Sequence, residues 1–197
     1  MQRTTVERVA SVITVAVEGV FYRHAAPDRD AFAGGHYGRW GGRFPVIYLG
    51  RPPEAVIVEA YRHLVEPYGV DPSQVKPRVL YTVGVRAEGV VDLTDRENLI
   101  RIGLTEDDLR TEVDDYERCQ EVAAAAHQLG CHGVLAPASH GLGETLALFR
   151  ERIGERELPV VEARTIWERL PADPRVPRVV RSQRETATRS SQPHAGS

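Results

Sequence analysis

The apolar positions of this chain fall in short blocks separated by glycine-, proline- and acid-rich segments, and the spacing within each block predicts an element. Thr4–Val17 opens with a Thr-Thr-x-Glu capping pattern and reads as a short helix leading into a strand, with the boundary left open. Glu18–Ala25 is a strand that delivers Arg23 to its end, and Ala26–Gly38 is a loop. Pro45–Leu49 is a short buried strand. Pro52-Pro53-Glu54 then starts a helix running to Leu64, because proline suits a first turn and an acid suits the positive end of the helix dipole. After a turn-rich linker over Glu66–Lys76, strands are predicted at Pro77–Val85 and near Val90–Thr94, and a short helix near Arg96–Ile102. Tyr116–Leu129 is the clearest helix, with an alanine run inside it and Gly130 as its stop. Strands follow at Gly133–Pro137 and Thr145–Phe149, with a tight loop at Ser139–Gly143 between them. Leu158–Leu170 adds a final strand and a short helix. Without regular βαβ alternation or an internal repeat, the order indicates an α+β fold.

Two stretches carry candidate chemistry. In Tyr37–Phe44, Gly41 and Gly42 permit positive φ or close approach, while Arg39 and Arg43 offer planar forks of donors, a combination suited to an anion. In the following helix Glu59 sits within Ala55, Val56, Ile57, Val58, Ala60 and Leu64. A carboxylate there is paired, with Arg62 or His63 one turn on, or protonated, or used.

Composition narrows the picture. Length predicts one domain over residues 1–170, with a Pro-, Arg- and Ser-rich tail over 171–197 expected to be disordered. A formal charge of −3 gives no electrostatic reason to expect nucleic acid or an anionic membrane as partner. Lys76 is the only lysine among 25 basic residues, so arginines fall near motifs by chance and each arginine argument carries less weight. Cys119 and Cys131 lack zinc spacing and read as reduced, buried thiols. The acid-rich segment Thr105–Glu117 reads as a solvated helix face in preference to a metal site. The apolar run Val9–Val17 is flanked by Glu7 and Glu18, so export is not expected, and no stretch is long enough to cross a bilayer.

The order Phe21-Tyr22-Arg23, Gly38-Arg39-Trp40, Pro45–Leu49, Glu54–Leu64 and Gly130–Phe149 resembles the RES domain, a family of toxins from bacterial toxin–antitoxin pairs named for an arginine, a glutamate and a serine. The resemblance implies an ADP-ribosyltransferase-like mixed or antiparallel sheet with flanking helices. It further implies cleavage of the nicotinamide–ribose bond of NAD, without a metal, by phosphate as co-substrate or by water. By the same resemblance Glu59, Arg39 and Ser139 are catalytic candidates, while Arg23, Tyr48, Arg43 and Tyr37 are candidates to bind NAD. The implied setting is cytoplasmic, with an Xre-like antitoxin as partner, in a homodimer or a toxin–antitoxin hetero-oligomer.

The sequence departs from the family pattern where Gly41 replaces an asparagine and where Ala138 separates Pro137 from Ser139. His24, His63 and His140 lie beside motif residues, and Gln120 matches a glutamine ahead of the late segment, with core hydrogen bonding as its expected job. Two other functions fit these residues: transfer of ADP-ribose to a protein, and nucleotide binding without turnover.

Overall fold

A computed structural model describes residues 3–110 and 115–177. Helix α1 (Thr5–Ala10) has the expected capping box, Thr4 Oγ1 accepting from the Glu7 N–H and the Glu7 carboxylate from the Thr4 N–H. Strands β1 (Val15–Ala25) and β2 (Val46–Arg51) flank the long arginine-bearing loop. Then come helix α2 (Pro53–Leu64), strand β3 (Arg78–Asp92), and helices α3 (Arg96–Ile102), α4 (Glu106–Arg110) and α5 (Glu117–Gln128). Strands β4 (Gly133–Pro137), β5 (Glu144–Phe149) and β6 (Val160–Trp167) complete the order.

Strands β1, β2, β5, β4 and β3 close into a ring, because β1 pairs with both β2 and β3, and β6 adds to the outer edge of β3. Only the β3–β4 pairing is parallel, so the sheet is mixed and the fold is α+β, as expected. The period of two along each strand sorts side chains between two cores. Ile47, Leu49, Leu146 and Leu148 point into the ring with Phe21 and Val83. Val46, Ala147 and Phe149 face outward, against α5 and its neighbours. A third, smaller cluster joins Val56 and Ala60 of α2 to Trp167 of β6, and so seats the helix across the end of β1.

The strands are longer than the sequence pattern suggested. The two segments predicted at Pro77–Val85 and Val90–Thr94 form one strand, because Arg86 lies opposite Glu18 and hydrogen-bonds to it at 2.7 Å while Ala87 is fully buried. Cross-strand pairing thus carries β3 through a stretch whose own alternation is weak. Leu158–Leu170 contains the strand but no α-helix. Residues 171–177, expected as the start of a disordered tail, pack on α2: Tyr61 Oη donates to the Pro171 carbonyl at 2.9 Å, and Arg175 pairs with Glu66. The rest of that predicted tail, 178–197, lies outside the described residues, as do 111–114 of the acid-rich segment. Among the described residues no helix is long and apolar enough to cross a membrane.

Candidate functional site

Where β1 and β2 end, helix α2, the Gly38-Arg39-Trp40 turn and the β4–β5 loop surround a cleft of about 350 Å³. Arg23, Tyr37, Arg39, Tyr48, Glu59 and Ser139 all line it, so six of the residues singled out in the sequence converge there. Arg43 does not. The turn carries it to a separate hollow beside Gln120 and Glu121 of α5, because Gly42 adopts φ 111° and redirects the chain after Trp40.

Glu59 reaches the cleft from the half-buried face of α2. Its Oε2 lies 3.1 Å from His63 Nε2, and its Oε1 lies 3.3 Å from His140 Nε2 and 3.7 Å from Arg62 Nη1. The paired reading of this glutamate is therefore realised, with a partner from the β4–β5 loop that the helix spacing alone does not suggest. Burial alone would raise the Glu59 carboxyl, but the hydrogen bond to His63 and the electrostatic attraction of His63, His140 and Arg62 outweigh it and hold the group below its ordinary value. It is a carboxylate at neutral pH.

Two arginines also line the cleft. Arg23 Nη1 donates to the Tyr48 carbonyl at 2.8 Å, while its Nε is enclosed without a protein acceptor among the described residues. Burial lowers its pKa, which is the mark of a guanidinium held away from bulk water. Arg39 is 9% exposed, donates through Nη1 to the Asp108 carbonyl at 2.6 Å, and lies 4.5 Å from the centre of the Tyr116 ring. Both guanidiniums are thus oriented by backbone or aromatic contacts. Arg23 Nε and His140 Nε2 are two of four enclosed side-chain nitrogens without an aligned partner among the described residues, and both belong to residues lining the cleft. Such donors suit a ligand rich in acceptors.

The turn between them is fixed by Tyr48, whose hydroxyl accepts from the Trp40 N–H at 2.9 Å and so keeps its own hydrogen to donate. Burial raises this phenol well above its ordinary pKa. Gln120 Nε2 donates to the Gly38 carbonyl at 3.1 Å, which anchors the turn to α5 and gives Gln120 the structural job expected of it. Gly38 itself sits at φ 101°, where a Cβ would lie 2.7 Å from the Tyr48 hydroxyl. Tyr37, 88% exposed, stands at the rim.

On the other wall, Ser139 Oγ accepts from Arg62 Nη1 in a short contact, which ties the β4–β5 loop to α2. The helix spacing points to Arg62 as a partner of Glu59, but its contact with Ser139, 77 residues away, and the places of Tyr116 and His140 in the cleft come from distant packing that local sequence does not signal. His24 also lines the cleft: Arg78 Nε donates to its Nδ1 at 3.2 Å and its ring stacks on Trp167. Burial, with the charges of Arg78 and Arg23, pushes its pKa down to about 3, so it is a neutral imidazole. Among the described residues no group of three or more histidine, cysteine or acidic side chains is placed to hold a metal ion.

A cleft lined by oriented cationic forks and an ionised carboxylate is chemically suited to a phosphate-bearing ligand that develops positive charge during reaction. Comparison with known proteins agrees with that character. The chain is 32% identical over 154 residues to the NAD(+) phosphorylase MbcT of Mycobacterium tuberculosis and to that of Mycobacterium bovis, a match spanning 75% of this chain and 82% of each relative. Its fold resembles the solved M. tuberculosis MbcT–MbcA toxin–antitoxin complex with a TM-score of 0.70 at 28% identity, covering 83% of this chain and 91% of that one. Residues 15–172 match the RES domain, and the chain belongs to that family.

Proposed function

We propose that this protein is an NAD phosphorylase and the toxin of a toxin–antitoxin pair. The observation that carries the reading is the convergence of Glu59 with Arg23, Arg39 and Tyr48 on one cleft. The match to relatives named NAD(+) phosphorylase supports it.

In the proposed reaction the bond between the nicotinamide nitrogen and the ribose carbon breaks, and its electron pair returns to the ring nitrogen, giving neutral nicotinamide. A phosphate oxygen forms the new bond to that carbon and loses its proton to solvent, leaving ADP-ribose 1″-phosphate. Charge moves from the pyridinium ring to the ribose carbon as the transition state is approached. A carboxylate beside that carbon is then worth more in the transition state than in the ground state, which is the role assigned to Glu59. Because nicotinamide leaves as a neutral base, no proton donor is needed for it. Arg23 and Arg39 hold the pyrophosphate by charge-assisted hydrogen bonds. The Tyr48 hydroxyl donates to a ribose oxygen, Tyr37 covers the cleft mouth, and Ser139 contacts a ribose hydroxyl or the incoming phosphate.

The solved relative in complex with MbcA supports an antitoxin as this toxin's partner; we assign it to the Xre-like class, in a hetero-oligomer within the cytoplasm. Protein incubated with NAD tests the reading: nicotinamide forms faster with inorganic phosphate, and the co-product carries a phosphate on the ribose carbon. Release independent of phosphate would favour water as acceptor, and label transferred to protein would favour an ADP-ribosyltransferase.

A further inference from the structure

His140 is an enclosed histidine on the β4–β5 loop that also lines the cleft. The β4–β5 loop that carries it is closed by the Ala138 N–H on the Gly143 carbonyl at 2.9 Å and the Gly141 N–H on the Ala138 carbonyl at 2.8 Å. Its side chain is 4% exposed and packs against α2. Within the same loop the Leu142 N–H donates to His140 Nδ1 at 3.3 Å. A ring nitrogen that accepts has no hydrogen, so the neutral imidazole carries its hydrogen on Nε2. That nitrogen lies 3.3 Å from Glu59 Oε1, and the ring also faces the Ala55 carbonyl of α2. Both neighbours are acceptors, which agrees with the same tautomer. Nε2 makes no aligned hydrogen bond among the described residues, and Glu59 Oε1 is the acceptor it faces at 3.3 Å.

We propose that His140 is a positioning residue for Glu59: the loop holds it as the neutral Nε2–H tautomer, and the positive end of that N–H, facing Oε1 across 3.3 Å, favours the carboxylate and keeps it turned toward the cleft. The inference rests on reading the cleft as the site of NAD cleavage. The other charged or titratable groups facing Glu59 are Arg62 and His63 on α2 and, farther off, His24 on β1. His63 is 59% exposed and shares the helix of Glu59, so it follows the carboxylate instead of fixing it. Of the three groups in contact with Glu59, His140 is the one that comes from a different element, and it is enclosed, so it sets the carboxylate plane relative to the loop that also bears Ser139. A protonated Glu59 would be neutral and would lose its attraction for a developing positive charge.

The wild-type protein supplies the first test. With ¹⁵N-labelled histidine, His140 is expected to show a protonated Nε2 and an unprotonated Nδ1 at neutral pH. An Nδ1–H tautomer, or an imidazolium at neutral pH, overturns the inference without any reference to activity. The second test follows the Glu59 carboxyl by ¹³C NMR titration in the wild type, His140→Gln and His140→Leu. Glutamine keeps a donor near the place of Nε2 and is expected to titrate close to wild type, while leucine raises the carboxyl by about one pH unit. An unchanged carboxyl in folded His140→Leu contradicts the proposal. In turnover, His140→Leu is expected to lower kcat for nicotinamide release about tenfold with KM for NAD nearly unchanged, and glutamine to restore it. If the wild type releases no nicotinamide, the phosphorylase reading fails, while the tautomer and the titration still decide the role of His140.

Discussion

The Arg23 guanidinium donates through Nη1 to the backbone carbonyl of Tyr48 at 2.8 Å, which joins β1 to β2 in the lining of the cleft. One bond thereby fixes two things. It orients the fork of Arg23, and it sets the height of the strand that presents the Tyr48 ring. Lysine has a single ammonium and cannot reproduce a fork held at one nitrogen and aimed with the others. Arg23→Lys is therefore expected to raise KM for NAD about tenfold, equivalent to about 1.4 kcal/mol, with a smaller effect on kcat. Steady-state nicotinamide release over a range of NAD concentrations checks this, and an unchanged KM would remove Arg23 from substrate binding.

The Gly38 position depends on backbone conformation and on space at once. At φ 101° an alanine is strained, and its Cβ would lie 2.7 Å from the Tyr48 hydroxyl. Gly38→Ala is expected to destabilise the fold by about 1–3 kcal/mol and to shift Tyr48 out of place. Urea unfolding measures the first effect and nicotinamide release the second. A variant as stable and active as wild type would show that the turn yields freely.

Removing the Tyr48 hydroxyl isolates a narrower contribution. Tyr48→Phe leaves the Trp40 N–H without the acceptor now at 2.9 Å, a loss of about 1–3 kcal/mol for a buried donor. Thermal and urea melts should both register it. Activity should fall further than stability explains, since the hydroxyl is also assigned a hydrogen bond to substrate.

Stability should depend on pH through His24. Its folded pKa, driven down by burial and by the Arg78 and Arg23 charges, is about 3 against an ordinary 6.5. The unfolded chain therefore binds the proton more readily, and stability is lost as pH falls from the ordinary value toward the folded one. Each pH unit within that window costs at most about 1.4 kcal/mol from this group. Glu59, also depressed when folded, adds a further loss only once pH falls below the ordinary carboxylate value. Urea midpoints measured at pH 7 and near pH 5 should differ, and His24→Asn should flatten the slope between them.

The legible parts of this protein were those with local chemistry. The Thr4 cap, the Pro-Pro-Glu start of α2, the alanine-rich α5 and the five motif pieces each declare themselves within a few residues. Tyr48 and Glu59 were legible as neighbours because a short strand feeds directly into the helix that bears the glutamate. What remained hidden was set by distant pairing. The length of β3 comes from its ladder with β1, and the seat of residues 171–177 comes from Tyr61 and Glu66 on a helix and turn far upstream. Arg43 illustrates the converse: its residue type and spacing matched an anion site, yet a positive φ at Gly42 turns it toward α5. His140 becomes visible as a partner of Glu59 only when the β4–β5 loop folds back on α2.

The central claim is that the Glu59 carboxylate drives departure of nicotinamide from NAD bound in this cleft. Single-turnover nicotinamide release by wild type and Glu59→Gln, with phosphate present and melts recorded in parallel, tests it most directly. The account predicts a loss of at least about a hundredfold in rate with the melting temperature nearly unchanged. Equal rates from the two proteins would contradict it.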